Sequence, residues 1–441
     1  MESAPTNSHE VKGLKLILRS LRHKNFRLFF FGQSISLVGT WMQIVAMGWL
    51  VFNLTRSMFL LGAVEFASQI PAFLFGPLAG VMIDRWNRRR LLIITQTLAM
   101  VQAFILAALA LTGQIATWHI ISLSIFIGLV NGFDIPARQA FFVDMIDKKE
   151  DLGNAIALNS SMFNGARLIG PSIAGITIAL VGEGICFLLN GITFLAVIAA
   201  LLAMKINQKP KDASKSSYII HELQDGFTYT FGSAPIRSVL QLLALISFMG
   251  MPYAVLMPIF AKNVLHGGPD TLGFLIAASG VGALLGAIYL AAQRSVLGLG
   301  KMIAISAGIF GVGIVAFSQS RALFLSLFLL LLVGFGIMVQ IASSNTLLQT
   351  IVEEDKRGRV MSFFTMSFIG MEPLGSLLAG GLASMIGAPN TLMIGGICCI
   401  AGSVIFAIKL PALSTMIYPL YVKMGAVPGV TPGIQMVEDT P

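Results

Sequence analysis

Five charged residues lie inside long apolar runs of this chain: Glu65, Asp134, Arg138, Arg167 and Glu372. At the centre of a membrane helix such a group costs at least about 2.5–3.5 kcal/mol, so it is expected to face a partner or a watery cavity. A carboxyl isolated among apolar groups holds its proton more tightly than in water, which suits a proton carrier. Glu65 has no charged residue within a turn on its own helix and is the first choice for that role; Glu372, just before Pro373, is the second. Asp134 and Arg138 are four apart, so they share a helical face and can neutralise each other, with Pro136 between them. For this pair a structural role and a coupling role stay open, and Arg167 completes the coupling candidates. The amides of Gln33, Gln43, Asn131, Asn159, Asn164, Gln340 and Asn345 could line a substrate route, or could bind helix to helix.

Little other chemistry is supported. The five histidines, His9, His23, His119, His221 and His266, fall in tails, loops or helix ends without metal-ligand spacing. Cys186, Cys398 and Cys399 sit in apolar runs as small hydrophobes. Glycine-rich stretches such as "GFGIMVQIASSNT" lack the Gly-Lys-Ser/Thr of a phosphate loop. We expect no metal, no cofactor and no enzymatic activity.

The elements that must position these groups are membrane helices. Of 441 residues, 56% are hydrophobic and 11% charged, against about 25% charged in a soluble domain. So little charge cannot cover a water-facing surface. The net charge of +9 would suit nucleic acid only if gathered on one soluble face; here it is scattered in short clusters between apolar runs. Runs of the length needed to cross a bilayer are predicted at 26–52, 57–83, 91–113, 117–145, 152–180 and 183–204, then at 236–262, 269–293, 300–319, 321–350, 357–386 and 389–410. The expected divisions are a polar N-terminal segment 1–25, a first six-helix bundle 26–205, a linker 206–235, a second bundle 236–410 and a tail 411–441. Within the linker, "SYIIHELQDGFTYTFGSAP" could lie as a helix along the membrane surface. The first run lacks a cleavage pattern and is expected to be retained. With the N-terminus inside, 25 of the 29 Lys and Arg face the cytoplasm and three, Arg56, Lys262 and Arg321, face out, which places both termini in the cytoplasm.

The chain also repeats. A shift of 205 sets Gly153 on Gly358, Phe163 on Phe368, Gly165 on Gly370, Gly170 on Gly375 and Gly175 on Gly380; a shift of 211 sets Gly39 on Gly250 and Gly62 on Gly273. Duplicated six-helix halves are a transporter architecture with a site near the midplane. The expected fold is an all-α integral membrane protein of twelve transmembrane helices, two six-helix repeats around a central cavity.

Between the second and third runs stands "GVMIDRWNRRRLL". Gly80, Asp84, Arg85, Arg88 and Arg89 match the Gly-x-x-x-Asp-Arg-x-Gly-Arg-basic signature, and the chain resembles the major facilitator superfamily over all twelve runs. Asn87 replaces the second Gly; Asn tolerates the left-handed backbone a tight turn needs. In the fifth run Gly170, Pro171 and Gly175 of "GARLIGPSIAG" are similar to the Gly-Pro-x-x-Gly-Gly signature of drug and proton antiporters. "NFRLFFFGQSISLVGTWMQ", "DIPARQAF" and "RGRVMSF" resemble the branch of enterobactin exporters and macrolide efflux proteins. The Arg of the antiporters' fourth helix is absent: Gly128 stands there.

An acid at the C-terminal end of the second run opposes the helix dipole by about 0.3–1 kcal/mol, so Asp84 needs a compensating partner. Arg88 and Arg89 lie a turn on. The resemblance implies a further partner, the start of the eleventh helix, met only when the cytoplasmic side is closed. Ser295, the counterpart of Asp84 under the 211 shift, carries no charge, so this latch is one-sided. The resemblance also implies that the tight helix-5 seam limits proton leak. The expected function is proton-coupled export of an amphipathic small molecule, siderophore or drug-like, across a bacterial inner membrane by alternating access, with the chain a monomer in the lipid bilayer. Proton-coupled import is the alternative, and a receptor or enzyme on a transporter-like fold is the alternative of another class.

Overall fold

A computed structural model describes residues 19–83, 86–146, 148–204, 227–293 and 297–423. Asp84, Arg85 and Ser295 lie outside the described residues, as do most of the linker and the end of the tail. Twelve helices are long and apolar enough to cross a membrane, and the described residues contain no strand. The first six are α1 (Lys24–Thr55), α2 (Met58–Ile83), α3 (Arg88–Leu111), α4 (Thr117–Asp144), α5 (Leu152–Val181) and α6 (Glu183–Ala203). The other six are α7 (Ala234–Val264), α8 (Pro269–Ala291), α9 (Leu299–Gln319), α10 (Leu323–Ile351), α11 (Lys356–Ile386) and α12 (Ala388–Lys423). In lipid only a helix or a closed barrel satisfies every backbone polar group, which is why apolar runs of this length resolve into helices.

The chain divides into two compact units. The first is Met1–Lys215 with Pro258–Ala277; the second is Ser216–Met257 with Ala278–Pro441. Within the first, α1 packs on α5 and α6, α2 on α4, and α3 on α4 and α6. Within the second, α9 packs on α10 and α12.

The sequence repeat reappears in the packing. Where helices approach most closely, only a glycine leaves room. Gly170 of α5 lies on Trp41 and Val38 of α1, and Gly375 of α11 lies on Phe248 of α7. Gly128 of α4 meets Ser68 and Pro71 of α2, while Gly334 of α10 meets Ser279 of α8. Gly191 of α6 meets Phe104 of α3, and Gly396 of α12 meets Val315 of α9. Three helix crossings in one unit thus recur between the corresponding helices of the other. Such small-residue contacts are how helices associate in lipid.

Two features differ from a plain reading of the runs. α7 contains π turns at Ile246–Gly250 and Phe260–Val264, and α11 contains one at Met366–Gly370. Asn87 is not left-handed: at φ −70° and ψ 106° it is extended and caps α3, its side chain accepting from the Arg90 N–H at 3.0 Å. An Asn before the first turn satisfies an otherwise unpaired donor. Of the linker's surface stretch, residues 227–235 are described and 227–232 are helical; there Phe227 and Phe231 pack on Phe363 of α11, and Lys356 sits 4.5 Å over the Tyr229 ring.

Candidate functional site

Within the first unit the charged residues inside the spans divide into separate groups. Asp134, on α4, is 2% exposed. It accepts from Thr95 Oγ1 and Gln96 Nε2 of α3, both at 2.7 Å, and is ion-paired to Arg138 one turn on. The carboxylate is therefore neutralised and tied to the neighbouring helix at once. α4 runs through Pro136 without a break.

Glu65, on α2, is partly buried. Its Oε1 accepts from Gln69 Nε2, one turn on, and among the described residues no cation pairs with it. Glu65 lies seven residues from the start of α2, about 10 Å along its axis. Asp134 lies ten residues before the end of α4, which runs parallel to α2: Gly128 meets Ser68 and Pro71, and four residues on Gly132 meets Ala72 and Phe75. The two acids thus sit toward different ends of the unit. Glu372 is on α11 in the second unit, also partly buried.

Arg167 of α5 reaches over the ring of Trp41 on α1 at 5.7 Å, and Trp41 meets Phe163 edge to face at 6.0 Å. Gly170 makes room for Trp41 to lie there: a side chain at Gly170 would come within 2.5 Å of the Trp41 Cβ. Gly170 and Pro171 are buried in α5, which passes through the proline unbroken. Gly175 meets the start of α8 within the same unit, facing Pro269, Asp270 and Gly273 at backbone distance. The helix-5 signature is therefore two close crossings, one on α1 and one on α8.

The amides divide into separate roles. Gln43 of α1 donates to Gln102 of α3 at 3.0 Å and accepts from Asn190 of α6 at 2.8 Å. Gln102 donates onward to the Leu123 carbonyl of α4 at 3.5 Å. Gln102 and Asn190 are each 1% exposed. Gln43 thus belongs to a buried relay joining four helices. Two of its members were passed over in the sequence, where an isolated amide gives no sign of its partners. Asn164 and Asn345 bond within their own helices, to Ser160 and Gln349. Gln340 is fully buried on α10; its Nε2 donates to Ser344 at 3.3 Å while its Oε1 has no partner among the described residues. Gln33 is buried, and Asn131 and Asn159 are partly buried.

Of the signature between α2 and α3, Gly80 lies in α2 and the described arginines are engaged. Arg88 pairs with Asp144 at 3.1 Å at the end of α4. Arg89 donates to the carbonyls of Leu201 and Leu202 at the end of α6, both at 2.7 Å. A cation on the last carbonyls of a helix satisfies unpaired acceptors and complements the dipole. Two further polar groups carry no sequence motif. At the start of α1, Arg19 and His23 meet Asp151. At the other end, Lys262 donates to Asn53 Oδ1 and lies 5.3 Å over the Trp49 ring, while Asn53 donates to Glu183 at 3.4 Å. The described residues hold no group of acids, His or Cys able to bind a metal, and the three cysteines are free.

The arrangement matches known proteins over nearly its whole length. The chain is 28% identical to the staphyloferrin A transporter of Staphylococcus aureus over 387 residues, covering 86% of this chain and 94% of that one. It is 24% identical to the multidrug efflux pump Tap of Mycolicibacterium fortuitum, covering 83% and 91%. It is 22% identical to macrolide efflux protein A of Streptococcus pyogenes, covering 86% and 96%. In fold it resembles a POT family transporter crystallised with a thioalcohol-conjugated peptide, at TM-score 0.70 and 12% identity over 88% of this chain and 96% of that one. It likewise resembles the nucleoside transporter NupG, at TM-score 0.66 and 14% identity over 88% and 99%. These relatives are transporters, not enzymes. The family profile described as transmembrane secretion effector matches residues 17–419, and the chain belongs to that family, within the major facilitator superfamily.

Proposed function

We propose that the chain exports an amphipathic small molecule in exchange for protons, by alternating access, with both termini in the cytoplasm. The observation that carries the coupling is the contrast between Glu65 and Asp134. Asp134 accepts from two neutral donors and is ion-paired to an arginine, so its oxygens are committed to contacts that tie α4 to α3 and to its own next turn. Glu65 has a single amide partner, so either protonation state leaves it bonded: Gln69 donates to an oxygen of the acid and of the carboxylate alike. Glu372 is the second coupling candidate, in the other unit. The efflux relatives and the helix-5 signature support export over import. Asp84 acts as the cytoplasmic latch; Arg88 and Arg89, a turn further along the sequence, brace the ends of α4 and α6. The chain acts as a monomer in the plasma membrane.

The test is transport in cells. Expression in a drug-hypersensitive host should lower retention of a macrolide or of staphyloferrin A, and a protonophore should abolish the effect. Glu65→Gln should abolish it too, at an unchanged amount of inserted protein. Proton-driven uptake of either compound would overturn export, and full protonophore-sensitive efflux by a Glu65→Gln, Glu372→Gln double variant would overturn the coupling assignment.

A further inference from the structure

Arg167 is a strong cation in a place where lipid does not tolerate one. α5 has 30 residues, and Arg167 lies fifteen from Leu152 and fourteen from Val181. Such a helix is about 45 Å long, against about 30 Å of hydrocarbon. Even if α5 is shifted fully to one side of the membrane, Arg167 stays at least about 7 Å inside the hydrocarbon layer. A charge there requires a partner or water. Among the described residues no carboxylate pairs with it; its one side-chain contact of this kind is the Trp41 ring at 5.7 Å. An aromatic face attracts a cation but leaves the edge of the guanidinium free, and that edge carries five N–H donors in a planar fork. The residue is partly exposed.

We propose that Arg167, oriented by Trp41, binds an anionic group of the transported molecule, so that the cargo is an amphipathic anion bearing a carboxylate or phosphate. The guanidinium fork matches both groups bidentately. Phe163, 47% exposed and edge-on to Trp41, supplies an apolar surface one turn away for the rest of such a molecule. Gly170 is part of the same construction, since it allows Trp41 to approach α5. This inference rests on the reading of the chain as a small-molecule transporter and names the class of its substrate.

The test uses the full chain purified in detergent and measures thermal stabilisation by three probes of equal size: naphthalene carboxylate, naphthyl phosphate and the neutral naphthalene carboxamide. We expect either acid, or both, to stabilise the wild-type chain at concentrations roughly 10- to 100-fold lower than the amide does, the range set by a hydrogen bond to a charged group. Arg167→Gln should erase that preference while leaving the unliganded melting temperature and the weak effect of the amide in place. Arg167→Lys should keep part of it, because the charge remains and the fork does not. Trp41→Leu should weaken binding of the acids more than of the amide. A fourth arm adds phosphatidylglycerol, whose headgroup offers the same phosphate chemistry. Competition only at lipid excess supports a cargo site, whereas saturation at membrane-like lipid levels, with the acids excluded, overturns it. No acid preference in the wild type, or an undiminished one in Arg167→Gln, overturns the proposal as well. Anion preference in a chain that performs no proton-driven export would refute the export reading and leave this one standing.

Discussion

The Nε2 of His23 lies 2.8 Å from Oδ2 of Asp151, joining the start of α1 to the connection between α4 and α5. Arg19 pairs with the other carboxylate oxygen and donates to the Glu150 carbonyl at 2.7 Å. Ser20 adds two bonds, its hydroxyl to the Asp151 carbonyl and its backbone N–H to Asn154 Oδ1. The hydrogen bond from His23 holds the Asp151 carboxyl below the usual carboxylate range. Desolvation opposes it, and the charges of Arg19, His23 and Lys148 add to it. A carboxyl whose pKa is lower in the folded chain stabilises the fold above its unfolded value, about 3.9, and that contribution is lost as pH falls through the lowered value. Hydrogen exchange at residues 19–25 should therefore stay slow from pH 7 down to about pH 4 and accelerate below it, after correction for the intrinsic rate. In Asp151→Asn it should be fast throughout, and an acid-induced step that survives this change would assign the tie to another group.

The relay Asn190–Gln43–Gln102 joins α6, α1 and α3 and ends on a carbonyl of α4. Removing its middle leaves buried amide groups unpaired. Gln102→Leu should cost about 1–2 kcal/mol, the range of interhelical polar contacts in membranes. Gln43→Leu should cost more, because both Gln102 and Asn190 lose a partner. Melting temperatures in detergent measure the order, and equal values for the two variants would mean the relay is not coupled.

The relay also marks where sequence reading stops. The twelve helices were legible because bilayer thickness demands runs of a known length, and their ends agree with the structure to within a few residues, apart from the extension of α12 to Lys423. The pairing of Gly170 with Gly375 was legible because close crossings leave only glycine as an option. The π turns in α7 and α11 were not, since one extra residue in a turn changes no composition. For Gln43 a substrate route and a helix-to-helix bond stayed open, because period alone cannot say which neighbour a helix face meets. His23 stood in a segment without metal spacing, and its partner Asp151 is 128 residues away.

Asp134 and Glu65 should respond differently to the same change. Asp134→Asn removes the counter-charge of Arg138. Breaking a fully buried pair costs about 3–5 kcal/mol, and the 26% exposure of the arginine side chain lowers that toward the smaller end. A fall in melting temperature and in inserted protein is expected. Glu65→Gln keeps an oxygen to accept from Gln69, so stability should hold while proton-driven transport is lost. Equal destabilisation by the two substitutions would place Glu65 among the structural polar groups.

Lys262 holds the Pro258–Ala277 segment to the rest of its unit. It stands in the π turn Phe260–Val264, where its ammonium donates to Asn53 and covers Trp49, both on α1. Asn53 in turn donates to Glu183, an acid in the first turn of α6 that favours the positive end of that helix. Three helices therefore meet through one cation. Lys262→Met keeps the length of the side chain and removes the charge. It gives up a charged hydrogen bond worth about 1.5–3 kcal/mol and a cation–ring contact worth about 0.5–1 kcal/mol. Part of that is recovered when Asn53 finds water. Hydrogen exchange across Pro258–Ala277 should rise roughly tenfold or more, as a net loss near 1.4 kcal/mol implies, and Trp49→Leu should raise it less. Global melting should change little, since the segment opens locally. Exchange that is unchanged in Lys262→Met would show that Gly175 and Gly273, packed backbone to backbone, hold this end without the cation.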